Sequence, residues 1–436
     1  MNLEEKLQEL KKAASKTVRE DALERQLEFL RWIEKRPRRV SAQQAPRGVE
    51  HYVDGEVCTN DRGDYFQASQ LLPFGRPYGK YCVGDVAHAD LAPLELFLKG
   101  GNVPPTSSVV YLDTETTGLA GGTGTCAFLI GIGAAEGPGF RVRQFFLRDF
   151  TEEKAALEAL ARALAPYELL VTYNGKTFDV PLLETRYTLA RMKSPFSRMV
   201  HLDLLHPARR LWKLRLESCQ LKNLERELLG IARNGDVPGS EIPQIYFDYL
   251  RTRSAKALQP VFFHNALDIV TLAGLTVEVG RAIANAGDDA GCDSLDLFSL
   301  SRVLDRAGAS ELARATCLQA IARGLPESVE PQALWQLAAQ HKKERQYDAA
   351  VEAWMKISSL GLRYTVEAFE ELAIHYEHRA RDANKALEYA MAAYEHLQDN
   401  SGSQARLERL AHRRERLLRK SQTESVPCGY PPQYSH

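Results

Sequence analysis

From Ser108 onward, short β-branched apolar runs alternate with longer amphipathic stretches, a pattern that predicts an α/β domain. SVVYLD (108–113), CAFLIGIG (126–133) and FRVRQFFL (140–147) read as three strands, the last with clear in–out alternation. Thr151 suits a helix N-cap, with Glu152 and Glu153 in the first turn of a helix running to about Ala165. ELLVTY (168–173) is a fourth strand, Asn174-Gly175 a turn, VPLLETRYTLARM (180–192) a helix and MVHLDLL (199–205) a fifth strand. FFHNALDIVTLAGLTVEVGRAIA (262–284) is apolar on most faces, as a buried helix is. Three strands, then helix, strand, helix, strand, helix, predict a mixed sheet flanked by helices over 106–288.

The flanking segments have a different texture. Residues 3–36 read as a polar, mixed-charge helix, followed by the basic loop RPRRVSAQQAPRG; together they form an N-terminal segment, 1–48. HYVDGEVC, DYFQASQLLPFG and YGKYCVGDV predict short strands in a small β-rich segment, 49–105, which closes on the turn-forming KGGNVPPTSS. From Asp293 the pattern is helical and repeats itself. Leu337-Ala338 aligns with Leu372-Ala373 at an offset of 35, Ala350 with Ala386 at 36, and Ala313 stands 37 residues before Ala350. Small residues recurring at this period predict tetratricopeptide-like helix pairs over 293–400, with ordinary antiparallel helices as the plainer alternative. The tail, 401–436, is basic, then Pro- and Ser-containing, and is expected to be disordered at its end.

Composition narrows the class. Hydrophobic residues make up 44% of the 436 positions and charged residues 26%, a globular balance sized for two or three domains. No apolar run reaches the roughly 18 residues of a membrane span, and MNLEEKLQELKKAASK lacks an apolar signal region, so a cytoplasmic protein is expected. The seven cysteines (58, 82, 126, 219, 292, 317 and 428) stand singly, as isolated reduced thiols rather than a disulfide or zinc framework. A net charge of −1 says little, but the eight Lys/Arg between Arg186 and Arg215 face only Asp203. That local positive field suits a polyanion; a solvated helix face is the plainer reading.

Candidate chemistry lies in the acids. Asp113 and Glu115 are two apart at a strand end, so alternation turns both to one face, where they repel unless a cation stands between them. Asp179 opens a helix after a strand and an Asn-Gly turn; a helix N-cap is its plainer reading. His264 and Asp268 are four apart on an otherwise apolar helix and share a face, which is costly without a partner. A satisfied core histidine is the plainer reading of His264.

YLDTETTGL, YNGKTFDVPLLETR and HNALDIVTLAGL resemble the three exonuclease motifs of the DEDD superfamily, the group that contains polymerase proofreading domains. AGGTGTCAFLIGIG and HLDLLHPARRLW resemble the bacterial YprB-like ribonuclease H-fold proteins, which often carry tetratricopeptide repeats. The resemblance implies an α/β ribonuclease H-like mixed sheet followed by an all-α tetratricopeptide-like domain. It further implies that Asp113, Glu115, Asp179 and Asp268 hold two divalent ions, Mg2+ or Mn2+, with His264 as candidate general base. The implied activity is 3′→5′ release of nucleoside 5′-monophosphates from single-stranded DNA or RNA. Thr116 and Asn174 are candidates to orient the substrate, and Arg186, Arg209 and Arg210 to contact its phosphates.

One feature departs from the family pattern. The His-type enzymes place histidine five residues before the last Asp and the Tyr-type place tyrosine four before it; here histidine stands at the four-residue spacing. His264 is therefore a base or a supporting residue. Two other classes remain open: a scaffold working through its repeats, which imply a protein partner, with an inactive nuclease domain, and a ribonuclease H-fold endonuclease.

Overall fold

The alternation read from Ser108 onward produces strands in the computed structural model, which describes residues 48–98, 103–118, 124–233, 235–285, 292–399 and 403–424. The helix expected over 3–36, most of the Gly-rich AGGTGT segment and Cys428 lie outside the described residues. The chain divides into two compact units, 1–285 and 286–436.

In the first unit, seven strands form one sheet: β1 (Gly55–Asn60), β2 (Gly63–Pro73), β3 (Val109–Thr116), β4 (Ala127–Glu136), β5 (Gly139–Phe146), β6 (Leu169–Thr172) and β7 (Val200–Asp203). Their order is β1-β2-β5-β4-β3-β6-β7. Pairing is antiparallel from β1 to β3 and parallel from β3 to β7. The parallel pairs need crossovers, supplied by α1 (Glu153–Leu164) and α2 (Asp179–Leu189). The strands expected over 49–95 do not stand apart as a separate β-rich segment. Phe66, Ala68 and Leu72 alternate into the core, and β2 pairs with β5 from Phe66↔Phe146 to Pro73↔Gly139.

The cap of α1 also differs from the sequence reading. Asp149, not Thr151, accepts the backbone N–H of Thr151 at 3.2 Å and opens a single 3-10 turn ahead of the helix. After β7 come α3 (Leu205–Trp212), a short helix Leu221–Leu224 running into a π turn Glu225–Leu229, α4 (Ile242–Thr252) and the 26-residue α5 (Gln259–Ala284). α5 packs on β3, β4 and β5. It comes this close because β4 carries glycine at 131 and 133. A Cβ at Gly131 would collide with Asn265 Oδ1 and Ile269 Cδ1, and one at Gly133 with Ile269 Cγ2.

The second unit is helical among its described residues: α6 (Ser294–Arg306), α7 (Ser310–Ala322), α8 (Glu330–Lys343), α9 (Tyr347–Leu360), α10 (Thr365–His375), α11 (Ala383–Asp399) and α12 (Gln404–Glu424). The aligned positions Ala313, Leu337, Ala338, Ala350, Leu372, Ala373 and Ala386 are all buried, so the repeat marks where successive helices touch. The end of the tail, beyond 424, lies outside the described residues, and the basic part before it is helical. It forms α12, whose Arg416 and Lys420 reach the buried Glu377 carboxylate at 2.7 and 2.9 Å.

Burial would raise the Glu377 carboxyl, but the hydrogen bonds from Lys420 and Arg416 outweigh it and hold the group below its ordinary value of 4.5. An acid depressed in the folded state adds stability above its unfolded value and loses it as pH falls through the folded one. Glu377→Gln should therefore lower melting temperature at neutral pH and flatten the acid side of the stability profile, as read by thermal melts from pH 7 to 3.

Candidate functional site

β3 is fully buried over its first four residues and opens to partial exposure from Asp113 to Thr116, so its carboxylates emerge at the end of an otherwise apolar strand. Asp113 pairs with Gly131 and Glu115 with Leu129, keeping the two acids in register on one face before the pairing shifts at Thr116. Above them, α5 brings in Asn265. Its Nδ2 donates to Asp113 Oδ2 at 2.8 Å and to the Asp113 carbonyl at 3.2 Å, while Gln144 Nε2 donates to Asn265 Oδ1 at 2.9 Å. This buried relay aims one Asp113 oxygen.

Asp179 is the first residue of α2, with Phe178 in the cap position, so the plain N-cap reading does not describe it. Its carboxylate accepts the Thr114 hydroxyl at 2.5 Å, which ties the start of α2 to β3. The preceding turn is held by Asp203, at the end of β7. Its carboxylate accepts the N–H groups of Asn174 at 2.7 Å, Lys176 at 3.1 Å and Leu205 at 3.1 Å.

One helical turn apart on α5, His264 and Asp268 face the same site. His264 Nε2 lies 3.5 Å from Asp268 Oδ2 and 3.9 Å from Glu115 Oε1. Its other nitrogen, Nδ1, contacts both oxygens of Asp236 at 2.8 and 2.9 Å. Asp268 Oδ1 is 2.5 Å from Arg233 Nη2, and the same guanidinium reaches Glu225 Oε2 at 2.6 Å and Asp236 Oδ2 at 3.5 Å. Glu225, completely buried in the π turn, also accepts the Tyr78 and Thr271 hydroxyls, each at 2.7 Å. Such π turns occur often beside functional sites.

Electrostatics explain why this arrangement needs positive charge. Burial, then the charges of Asp268, Glu115 and Asp179, push the Asp113 carboxyl well above the usual range despite the bond from Asn265. Burial and the neighbouring acids push Glu115 up to about 8 against the pull of His264. Asp179 rises to about 6, chiefly through burial. Burial works against the charged form of His264, but Asp236, Asp268 and Glu115 outweigh it and raise the imidazole above 6.5.

As placed, each of Asp113, Asp179 and Asp268 has one oxygen engaged by a neighbour, and no three described His, Cys, Asp or Glu side chains are positioned to hold a metal ion. The chemistry of the donors nevertheless fits a hard divalent cation: they are carboxylate oxygens, largely withdrawn from solvent, and Asp113 and Glu115 feel the repulsion of neighbouring acids.

Asp113, Glu115, Asp179, Asp268 and His264 thus come together, and the other expected residues scatter. Thr116 donates its hydroxyl to the Gly118 carbonyl at 2.9 Å. Asn174 holds a left-handed turn at φ 62°, where its short polar side chain is tolerated. Arg186 is engaged by Glu153 through two contacts of 2.5 and 2.6 Å, bracing α2 against α1. Arg198, also in the basic stretch, donates to the carbonyls of Leu164 and Tyr167 at the end of α1. Arg209 and Arg210 are exposed on α3, with the Arg210 guanidinium 5.8 Å from the Phe97 ring. Asn265, Asp203, Arg233, Asp236 and Glu225 were not singled out in the sequence. Asp203 alone carried a signal, as the one acid within the basic stretch from Arg186 to Arg215.

The sequence pattern of the RNase H superfamily matches residues 110–279, the span that carries all five converging side chains. Fold and match together define a nuclease-type domain, a hydrolase class that acts on nucleic acid. The uncharacterized protein YprB of Bacillus subtilis (strain 168) is 32% identical over 288 residues, covering 65% of this chain and 68% of that protein. The chain belongs to the YprB family. A family B DNA polymerase from the archaeon Pyrobaculum calidifontis aligns at 11% identity and a TM-score of 0.30, over 64% of this chain and 34% of the polymerase. No described helix is long and apolar enough to cross a membrane.

Proposed function

We propose that this chain is a metal-dependent 3′→5′ exonuclease of the DEDD type, releasing nucleoside 5′-monophosphates from single-stranded DNA or RNA. The reading rests on one observation: Asp268 and Glu115 face His264 Nε2 at 3.5 and 3.9 Å, and the charges of Asp268, Glu115 and Asp179 all bear on Asp113 beside them. Asp113, Glu115, Asp179 and Asp268 would hold two ions, Mg2+ or Mn2+. Bound there, the ions supply positive charge for the phosphodiester transition state and acidify the attacking water. The chain's own groups do the rest. Asn265 aims Asp113, Arg233 holds Asp268, and Asp236 fixes the His264 ring so that Nε2 faces the acids and can take the proton from water. The exposed Arg209 and Arg210 would contact phosphates, and the helix pairs of the second unit read as tetratricopeptide-like.

The test uses 5′-labelled single-stranded DNA and RNA with manganese. A ladder shortening from the 3′ end supports the proposal. Cuts in a closed circle would make the chain an endonuclease, and no cleavage by the metal-loaded protein would favour a scaffold. His264→Gln should slow hydrolysis about 10²–10⁴-fold and change the shape of the pH–rate profile. A slower variant with the parent's profile would make the histidine a supporting group instead.

A further inference from the structure

Most named ion pairs of the second unit join cations to acids on other helices. Arg314 pairs with Glu344, Lys342 with Glu371, Lys356 with Glu330, and Arg406 with Glu367 and Glu370. Several arginines of the unit stand outside that habit, and three of them gather in one place. Arg302 and Arg306 lie one turn apart on α6, and Arg363 sits in the turn before α10; none makes an ion pair among the described residues. Arg302 is only partly exposed, and burial, then the charges of Arg306 and Arg363, lower its pKa against the opposing pull of Tyr364. Holding like charges together in a partly buried place costs free energy, and an anion would remove that cost.

Aromatic rings border the cluster. Trp335 on α8 and Tyr364 at the start of α10 stack with centroids 5.3 Å apart and planes within 4°. The Arg363 guanidinium lies 4.9 Å from the Tyr364 ring centre, and Arg302 lies 5.8 Å from that of Phe298. Tyr364 takes a left-handed backbone at φ 70°, strained for an aromatic residue and of the kind that collects at binding sites. Both stacked rings are partly exposed, with their remaining surface packed against the core formed by Leu334, Trp354 and Leu372.

We propose that Arg302, Arg306 and Arg363 beside the Trp335–Tyr364 stack form a second nucleic-acid contact that takes the phosphates and a base of a single strand. Guanidinium forks match phosphate oxygens, and exposed flat rings receive unpaired bases whatever their sequence. An acidic peptide would satisfy the arginines but leave the stack without a role. The choice of nucleic acid also leans on the nuclease reading of the acid site.

The experiment uses the full chain carrying Asp113→Ala, so that the probe is not consumed. Fluorescence anisotropy would follow a labelled single-stranded oligonucleotide of about twenty residues, as DNA and as RNA, with labelled polyglutamate as the competing polyanion. Arg306→Glu with Arg363→Glu, both at exposed positions, should weaken oligonucleotide binding at least about tenfold and reduce the salt slope by about 1.4, the share of two phosphates. Trp335→Ala should weaken binding with the slope unchanged, and circular dichroism should show all variants folded. Binding equal to the parent's in the double variant overturns the proposal. So does a parent that binds no oligonucleotide, or one that binds only polyglutamate through these arginines. Hydrolysis is measured separately with Asp113 restored: patch-dependent binding without hydrolysis defeats the nuclease reading and leaves this one standing, and the reverse result does the opposite.

Discussion

Asp113→Asn should abolish manganese-dependent shortening of a single strand, by about 10³-fold or more, and at the same time make the metal-free protein more stable. The first effect follows from the place of Asp113 among the acids, where a single preorganised electrostatic group is worth about 10²–10³ and one that would also hold a metal ion is worth more. The second follows from its surroundings. The carboxylate is buried and faces Asp268, Glu115 and Asp179, all of which disfavour its charge. An asparagine keeps the shape and still accepts the Asn265 amide, as Asp113 Oδ2 does at 2.8 Å, but carries no charge. Thermal melts in chelator and hydrolysis assays in manganese read the two effects separately. A variant that loses activity and also loses stability would mean Asp113 is chiefly structural.

Arg233→Met should destabilise the first unit by about 3–5 kcal/mol, the range for removing one partner of a buried ionic network. Its side chain is 3% exposed and stands between Glu225, at 0%, and Asp268. Methionine fills part of the volume but leaves Glu225 buried with only the Tyr78 and Thr271 hydroxyls. Asp236 keeps His264, so the loss concentrates on Glu225 and Asp268. Pairing the change with Glu225→Gln should recover much of the stability, because the uncompensated charge goes with it. Urea unfolding of the three proteins checks this, and a double variant no more stable than the single one would show that the arginine matters through packing alone.

Local periodicity is what the sequence carries. Strand alternation put Asp113 and Glu115 on one face, and helical spacing put His264 and Asp268 on another, because side chains two or four residues apart are held together by their own backbone. The small residues of the second unit were legible for the same reason: Ala338, Ala350, Ala373 and Ala386 recur with the helix pairs that bury them. A count of charges, by contrast, could not say that Arg186 belongs to Glu153 or that Arg198 closes α1.

The loop IARNGDVPGS shows the limit best, since it has no period to read, yet its Arg233 holds Asp268 and its Asp236 holds His264 from 28 residues away. The strands at 55–73 show it again, since their place in the main sheet rests on the pairing of β2 with β5, from Phe66↔Phe146 to Pro73↔Gly139, far along the chain. By itself, then, the sequence determined the strands from β3 onward, the helices α1, α2 and α5, and five candidate side chains for the acid site, but not α3 or α4. Only the tertiary structure decided which buried groups orient them, because the cost of an unpaired charge is met by whatever partner the fold brings near, and nothing in the chain between records that meeting.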